Sequence, residues 1–225
     1  MIVPPSFLFH YQLSVPRVDG LPKKKGKSLQ LPDTAKVFVP STLNEGPANE
    51  GPANEGTTGL ELKLGWNPDG LAIEIVVRGK KAEPAGRRHD LKHSDVVYVF
   101  IDTRHTANVH RATEFCTALQ ILPSDEAADD EPTVEFVEIA QQRGTRRQPD
   151  AKRVVVNVQN QRDGYHLELW IPTTQMPGFD QIEEIGHLGF YVVVEDTELG
   201  QLPLSIGDDF PVAHDPSTWL QLNLE

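Results

Sequence analysis

The sequence has a single cysteine, Cys116, among 225 residues. One cysteine excludes an internal disulfide, and it also excludes a structural zinc site built from several thiolates of one chain. No apolar run of about 18 residues is present, so the sequence predicts no membrane-spanning helix. The amino-terminal segment has neither a basic region nor a continuous apolar region. We therefore expect no signal peptide and a cytoplasmic location.

Positive charge is also scarce. Lys and Arg number 21 against 33 Asp and Glu, which gives a formal net charge of −12. Such a chain is poorly suited to nonspecific binding of nucleic acid or of an anionic membrane, and we expect neither as a partner. The basic runs "KKKGK" and "RGTRR" contain no aromatic residues, which favours solvated loops.

Aromatic residues make up only 7% of the chain, whereas 18 Pro and 17 Gly indicate many turns. Apolar and polar residues alternate in segments that predict about ten short strands. In "LELKLGWNPDGLAIEIVV" the "NPDG" turn predicts a hairpin, with Trp66 in register with the apolar face of its first arm. "DVVYVFI" is apolar on both faces, which predicts a central strand. Short helical pieces are expected only near residues 103–112 and 173–176.

The absence of long helices and of a βαβ rhythm predicts an all-β fold. We expect an antiparallel β-sandwich, jelly-roll-like, with long loops and very little helix. Residues 1–225 are expected to form a single domain. The repeat "NEGPANEGPANEG" predicts a flexible insertion at about 44–58, because it lacks large apolar residues. "PSDEAADDEP", residues 123–132, is interpreted as an acidic surface loop.

The segment "HSDVVYVFIDTRHTANVHRATEFC", residues 93–116, concentrates groups that can do chemistry. One interpretation is a metal-assisted hydrolase, but the spacing matches no tight ligand motif. The other interpretation is a turn after a central strand whose polar side chains hold the backbone or contact a ligand. Cys116 lies in an apolar strand and is expected to be an inert buried thiol. The residues that the hydrolase would use are Asp102, His105, His110 and Glu114.

Two tryptophans fall on the polar faces of their strands. Trp170 shares a face with His166 and Glu168, and Trp219 opposes the leucines of "WLQLNL". An indole on a polar face is a candidate sugar platform, because the C–H faces of pyranose rings pack on aromatic planes. The alternative is that each indole lies under a loop and is packed there.

Several segments together resemble the family 9 carbohydrate-binding modules and their DOMON-like relatives. They are "ELKLGWNPDGLAIEIVVRGK", "DVVYVFIDTR", "GYHLELWIP", "LGFYVVVEDTELG" and "DPSTWLQLNL". "PPSFLFHYQLSVPRVDGLP", "DTRHTANVHRATEFC" and "SIGDDFPVAHDPSTW" more closely resemble a set of uncharacterised bacterial proteins that consist almost entirely of this module. The resemblance runs from about residue 5 to residue 224, apart from the repeat.

The resemblance implies a β-sandwich that binds sugars, or a scaffold descended from one. Family members often hold a terminal sugar between two tryptophans and carry structural calcium ions, and Trp66 resembles the core tryptophan of the pattern. Some DOMON relatives hold haem through Met and His, and Met176 is the only internal methionine here.

We therefore expect a non-catalytic binding module for a carbohydrate or related polyol, with no cofactor apart from the structural calcium. A protein-interaction domain that has lost sugar binding is the further alternative, so a saccharide and a protein are both candidate partners. No catalytic residue and no catalytic metal site are predicted. The residues expected to face the ligand are Trp170, His166, Arg104, His105, His110 and Arg111.

Overall fold

The computed structural model describes residues 12–22, 28–37, 59–106, 108–144, 149–207 and 209–225. These residues form twelve strands and one short α-helix. The elements are β1 (Gln12–Val15), β2 (Lys36–Val37), β3 (Gly59–Asn67), β4 (Gly70–Arg78), β5 (Val96–Asp102), β6 (Cys116–Leu122), β7 (Thr133–Val137), β8 (Val155–Gln161), β9 (Gly164–Pro172), α1 (Ile182–Ile185), β10 (His187–Asp196), β11 (Gly200–Pro203) and β12 (Leu220–Leu224).

The strands form two sheets. The larger sheet has the order β1-β12-β10-β5-β6-β7, with β11 also paired to β10, and the smaller has the order β2-β3-β4-β9-β8. The described pairs are antiparallel except β1 with β12, which is parallel. A parallel pair suits two segments from opposite ends of the chain, because no tight turn has to join them. The predicted all-β sandwich is confirmed.

The predicted hairpin is formed by β3 and β4. Asn67 holds its turn, since its side-chain oxygen accepts from the backbone N–H of Asp69 at 2.9 Å and its amide donates to the carbonyl of Leu21 at 3.0 Å. Alternate side chains of both arms enter one core that also contains the inward faces of the larger sheet. The inward residues of the hairpin are Leu60, Leu62, Leu64, Trp66, Leu71, Ile73, Ile75 and Val77.

Strand β5 lies between β10 and β6, as the two-sided apolar pattern predicted. Its Val97 and Val99 side chains are fully buried in the core. Phe100 packs on the other face against Trp219, with the ring centroids 5.5 Å apart. The segment that precedes β12 covers this face, because the indole N–H of Trp219 donates to the carbonyl of Val212 at 2.8 Å. Both faces of the larger sheet are therefore covered at its centre.

A second, smaller cluster lies on the outer face of the smaller sheet. Residues 28–35, which we call the covering segment, lie across this face. The backbone N–H of Leu29 donates to Glu168 at 2.9 Å, and that of Leu31 donates to Glu74 at 2.6 Å. The cluster consists of Leu21, Leu29, Leu31, Ala35, Ala72 and Trp170.

Helical structure differs from the prediction. No helix forms in the described residues of 103–112, where turns and irregular backbone occur instead, and Thr173–Gln175 is a single 3-10 turn. The one α-helix, α1, was not predicted; it ends at Gly186, whose φ of 72° suits a left-handed cap. None of the helices in the described part of the chain has the length and apolar character needed to cross a membrane. The repeat insertion at 44–58 lies outside the described residues.

Candidate functional site

A cleft of about 570 Å³ opens where three parts of the chain meet. The first wall is the segment 83–87 of the loop between β4 and β5, joined by His93 from the same loop. The second wall consists of residues from 123–132, between β6 and β7. Val158 and Asn160 of β8 close the third side. The cleft therefore lies at the edge of the sandwich, where β8 is the last strand of its sheet.

The first wall is held by backbone contacts. The N–H of Ala85 donates to Asp95 Oδ2 at 2.8 Å, and the N–H of Asp95 donates to the carbonyl of Ala85 at 2.7 Å. A Cβ on Gly86 would lie 2.1 Å from the carbonyl oxygen of Ser124, so only glycine allows the two walls to approach this closely. The two loops are therefore locked to each other.

The second wall is built around Asp125, whose side chain is fully buried. Its carboxylate accepts from Arg88, from the N–H of Ala127 at 3.0 Å and from the hydroxyl of Thr133 at 2.9 Å. Burial opposes ionisation, but the hydrogen bonds from Arg88, Thr133 and Ala127 outweigh it and hold the pKa of Asp125 below its ordinary value. The loop thus has a charged anchor behind its exposed acidic residues.

A buried ion cluster fixes the loop of the first wall to β10. The Lys80 ammonium, 1% exposed, lies 3.2 Å from Asp95 and 3.1 Å from Asp196. The hydroxyl and the N–H of Thr197 also donate to Asp95, at 2.9 and 2.8 Å. Buried charges are tolerated when each is paired and hydrogen-bonded in this way.

The cleft presents both hydrogen-bond donors and acceptors. Arg87 is paired with Glu126 at 2.8 Å, Asn160 offers an amide and Ser124 a hydroxyl. Pro84, Pro123, Pro132 and Val158 add apolar surface. Such a lining can bind a neutral molecule with many hydroxyl groups, since each hydroxyl both donates and accepts. The described lining residues include no Phe, Tyr or Trp, and the imidazole of His93 is their one aromatic ring.

All three tryptophans are buried, so Trp170 and Trp219 do not form the exposed sugar platforms that the sequence suggested. Trp170 is 2% exposed and packs beneath the covering segment, in the cluster with Leu29 and Leu31. Trp219 is 0% exposed, and Trp66 lies in the main core, as predicted. None of the three indoles has an open face on which a sugar could stack. The strand pattern correctly assigned Trp170 to the outer face of the sheet, but it carried no information about the segment that covers this face.

His166 lies on the same outer face as Trp170, two strand positions from Glu168. Its side chain is 19% exposed, and its Nε2 is 3.7 Å from Glu74 Oε2. The neighbouring Glu74 carboxylate raises the pKa of His166. This side chain therefore belongs to a cluster of ionisable groups and not to the cleft.

Arg104 and His105 lie in the turn after β5. Arg104 donates to the carbonyl of Gly178 at 3.1 Å and to Gln181 at 2.7 Å, and its guanidinium lies 4.6 Å from the centroid of the Phe115 ring. His105 is 8% exposed. Burial, together with His187, lowers the pKa of His105 to about 4. The Arg104 side chain thus holds the backbone near this turn, as the second interpretation of the segment proposed, and the His105 side chain is buried.

His110 and Arg111 are exposed. His110 Nδ1 lies 2.8 Å from the hydroxyl of Ser217 and 3.1 Å from Asp215, while that hydroxyl also lies 2.7 Å from Asp215. This is not a catalytic triad, because the serine and the aspartate contact the same ring nitrogen. Arg111 donates to the carbonyl of Gln141 at 2.6 Å. Ligand contacts by His110 and Arg111 stay predictions, and none of the six predicted residues lines the cleft.

The residues of the hydrolase interpretation do not converge. Asp102 is buried, accepts from the N–H of Arg104 at 3.0 Å, and has its pKa raised by burial, whereas Glu114 lies against Gly144. Among the described residues, the one group of His, Cys, Asp and Glu placed to share a metal ion lies elsewhere, on β4 and β9.

Two further single-residue predictions can be compared with the structure. Cys116 is 2% exposed, so its predicted burial is confirmed, and burial raises the pKa of its thiol to about 12, which favours the unreactive protonated form. Met176, the residue that a haem site would use, is 1% exposed and belongs to the main core. Its side chain therefore contributes to the packing of the core, and the haem alternative stays untested.

Structural calcium was implied by the resemblance. Calcium takes about six to eight oxygen ligands, mostly from carboxylates and carbonyls. The fully buried aspartates that could contribute already face cations of the protein, because Asp95 and Asp196 contact Lys80 and Asp125 contacts Arg88. These carboxylates do not fit a calcium ion, and calcium binding stays an expectation from the resemblance.

Comparison with solved structures gives a clear relationship of fold. The chain is similar to two structures of a family 9 carbohydrate-binding module from Caldicellulosiruptor kristjanssonii, one in complex with cellotriose and one with glucose. The TM-scores are 0.59 and 0.58, and the sequence identity is 14% for both. The alignments cover 96% of this chain and 94% and 96% of the module. The fold is that of a family 9 carbohydrate-binding module. Neither the protein-family models nor the curated protein sequences match this sequence.

Sequence reasoning missed the cleft on the family 9 fold. The acidic residues Glu126, Asp129, Asp130 and Glu131 of the 123–132 segment are exposed, as expected of a surface loop, whereas Asp125 within it is buried. One local signal was available: an Asp followed by "EAA" is typical of a helix cap, and Asp125 does cap the 3-10 turn Glu126–Ala128. The contact of this loop with Gly86 involves residues distant in sequence, and no local pattern predicts it.

Proposed function

We propose that this protein is a non-catalytic carbohydrate-binding module that binds a saccharide or related polyol in the cleft. The observation that carries the proposal is a preformed cleft with a mixed polar and apolar lining on a family 9 fold. The similar structures were solved with cellotriose and with glucose, so saccharides of this kind are the first ligands to test.

The dimensions and rigidity of the cleft support the proposal. Its volume of about 570 Å³ lies within the range of about 300–1,000 Å³ that is typical of small-molecule sites. Both walls are fixed by buried groups, Asp95 behind one and Asp125 behind the other. A preformed site loses little conformational entropy when a ligand binds. We infer that hydrogen bonds to hydroxyl groups supply most of the affinity, because the described lining contains no Phe, Tyr or Trp ring on which a sugar could stack.

The same geometry supports binding without chemistry. The Ser217, His110 and Asp215 cluster has the wrong connectivity for a nucleophile and base. The hydrolase residues of the 102–114 loop do not converge. We therefore favour recognition over hydrolysis.

The test is a thermal-shift and calorimetry screen against glucose, cellotriose and a panel of other saccharides. A ligand at about 100 times its dissociation constant adds about 2.7 kcal/mol of stability, which raises the unfolding temperature measurably. We expect Arg87→Ala and Asn160→Ala to weaken binding at least about tenfold, the equivalent of about 1.4 kcal/mol. Arg111→Ala tests the surface that the sequence predicted instead, and it should bind as the wild type does if the ligand occupies the cleft.

The outcomes separate the two surfaces. Loss of binding in Arg111→Ala with normal binding in the cleft variants would move the site to the 104–111 loop. Saccharide binding unaffected by all three substitutions would contradict the cleft. No binding to any saccharide by a folded protein would contradict the proposed function.

A protein-interaction surface is the second candidate, and one observation favours it. Val155 on β8 is 36% exposed and is the one large hydrophobic residue classed as exposed among the described residues. Because β8 is an edge strand, it can pair with a strand of another protein. If no saccharide binds, capture of a partner by the wild type but not by Val155→Lys would support this candidate.

A further inference from the structure

Three ionisable side chains that are not part of the cleft lining meet on the outer face of the smaller sheet. Glu74 of β4 lies directly opposite Glu168 of β9, and His166 precedes Glu168 by two residues, so all three point to the same face. One donor atom from each lies within 4.8 Å of the others. Two carboxylates at directly opposite positions repel each other unless a positive charge lies between them.

Two of the donor atoms are buried and unsatisfied. Glu168 is 2% exposed, and its Oε2 has no hydrogen-bond partner among the described residues. His166 Nε2 is likewise buried without such a partner in that part of the chain. Buried polar atoms without partners are rare in native proteins, and a bound ion is one of the explanations for them.

The remaining oxygens of the carboxylates are already used. Glu74 Oε1 accepts from the N–H of Leu31, and Glu168 Oε1 accepts from Ser28 and from the N–H of Leu29. The covering segment therefore holds each carboxylate by one oxygen. The orphaned Oε2 of Glu168 is left for another partner.

The distance between His166 and Glu74 leaves space for an ion shared by the two side chains. His166 Nε2 is 3.7 Å from Glu74 Oε2, which is longer than a normal hydrogen bond of about 2.7–3.2 Å. Donors held about 2.0–2.2 Å from a tetrahedral metal lie roughly 3.3–3.6 Å apart. The Lys63 ammonium, whose charge acts on Glu74 and His166, is directed to Asp33 at 2.8 Å and to the carbonyl of Leu31 at 3.3 Å.

We propose that Glu74, His166 and Glu168 bind a divalent transition-metal ion of the zinc class. An imidazole with two carboxylates suits zinc, whereas calcium and magnesium prefer oxygen ligands alone. A cavity of about 230 Å³, which includes Glu168 and Ser28 in its lining, leaves room for a water molecule as a further ligand. The ion stabilises the covering segment, because the same carboxylates hold that segment to the sheet.

The test uses the full chain, stripped of metal with a chelator and then titrated with zinc chloride. We expect stoichiometric zinc in the protein after gel filtration, measured by elemental analysis, and a raised unfolding temperature. His166→Gln and Glu168→Gln should each weaken zinc binding by at least about 10–100-fold, measured by competition with a coloured chelator. Glu168→Gln keeps an oxygen for the N–H of Leu29, so the covering segment should stay in place.

The controls are His110→Gln and Glu61→Gln, which alter an exposed histidine and a surface carboxylate outside the cluster. Both should bind zinc as the wild type does. A wild-type protein that retains no zinc would overturn the proposal, as would unchanged affinity in a folded His166→Gln variant. An equal loss of zinc affinity in the His110→Gln control would also overturn it.

Circular dichroism shows which variants fold, and Glu74→Gln is used in place of any cluster variant that does not fold. The zinc titration contains no saccharide, so its result does not depend on whether the proposed carbohydrate binding is correct.

Discussion

Two groups of buried charged side chains are held by partners at least 15 residues away in the sequence. Lys80 contacts Asp95 and Asp196, and Asp125 contacts Arg88. These contacts position the walls of the cleft, so a change at one residue affects both stability and the site. Burial also favours the neutral form of His105, because it lowers the pKa of the imidazole and the neighbouring His187 lowers it further.

Lys80→Met is expected to destabilise the protein by about 3–5 kcal/mol, because it leaves two buried carboxylates without their cation. Lys36→Met is the matched control. Its ion pair with Glu61 is exposed, and such pairs contribute about 0–1 kcal/mol. Urea unfolding monitored by circular dichroism measures both values. An equal decrease in the free energy of unfolding of the two variants would show that the buried cluster contributes no more to stability than the exposed ion pair.

The stability of the protein should depend on the protonation of His105. Burial lowers the folded-state pKa from 6.5 to about 4, so the neutral form is favoured in the native protein. Below pH 6.5 the unfolded chain binds the proton more readily, and the stability contributed by neutral His105 is lost as the pH falls toward 4. The His105→Gln variant has no imidazole to protonate, so it lacks this loss of stability. Relative to the wild type, the variant should gain up to about 3 kcal/mol between pH 7 and pH 4. A difference in unfolding free energy that is constant with pH would contradict the assignment.

At the scale of elements, the covering segment determines the character of the smaller sheet. β9 alternates regularly, so its outer face carries His166, Glu168 and Trp170, as the sequence indicated. Residues 28–35 convert this polar face into an interior by packing on Trp170 and by hydrogen bonding to the carboxylates. The alternation of polar and apolar residues in β9 predicts that this face is exposed to solvent, but in the structure it forms a second small core.

Trp170→Ala should loosen the covering segment and leave the main core intact. We expect faster hydrogen exchange at the backbone amides of Leu29 and Leu31, because the indole no longer packs against their side chains. Amides of β5 should keep their protection. Trp219→Ala is the comparison, since it creates a cavity beside Phe100 and should lower global stability by about 3–5 kcal/mol. Unchanged exchange at Leu29 in Trp170→Ala would contradict the role of the indole.

At the scale of the whole molecule, both sheets contribute to one main cluster of buried hydrophobic residues. Trp66 extends into this cluster from the inner face of the smaller sheet, and Val97 and Val99 of β5 extend into it from the inner face of the larger sheet. Neither sheet can expose its inner face without exposing that of the other. The shared core is the physical basis for expecting a single domain.

Unfolding should therefore be a single cooperative transition. Far-UV circular dichroism and tryptophan fluorescence in urea should give coincident curves, because strand structure and the two core indoles are lost together. The fluorescence measurement is best made in a Trp170→Phe variant, which removes the indole of the outer cluster. Two separated transitions would contradict the single-domain expectation.

Strand locations, the hairpin turn, the central position of β5, the register of Trp66 and the burial of Cys116 were predictable from the sequence. These features follow from a two-residue periodicity and from turn chemistry, which depend on residues close together in the chain. The resemblance to family 9 modules rested on the order of such strands, and the fold confirms it.

Only the tertiary structure decided which surfaces are open. The cleft forms because Gly86 meets Ser124, and the Trp170 indole is covered because Leu29, 139 residues from Glu168, bonds to that side chain. Contacts over such separations are set by the packing of sheets and loops, and a local pattern contains no record of them. The sequence by itself determined the two-sided strands, whereas long-range packing determined which of their faces meet water, a ligand or an ion.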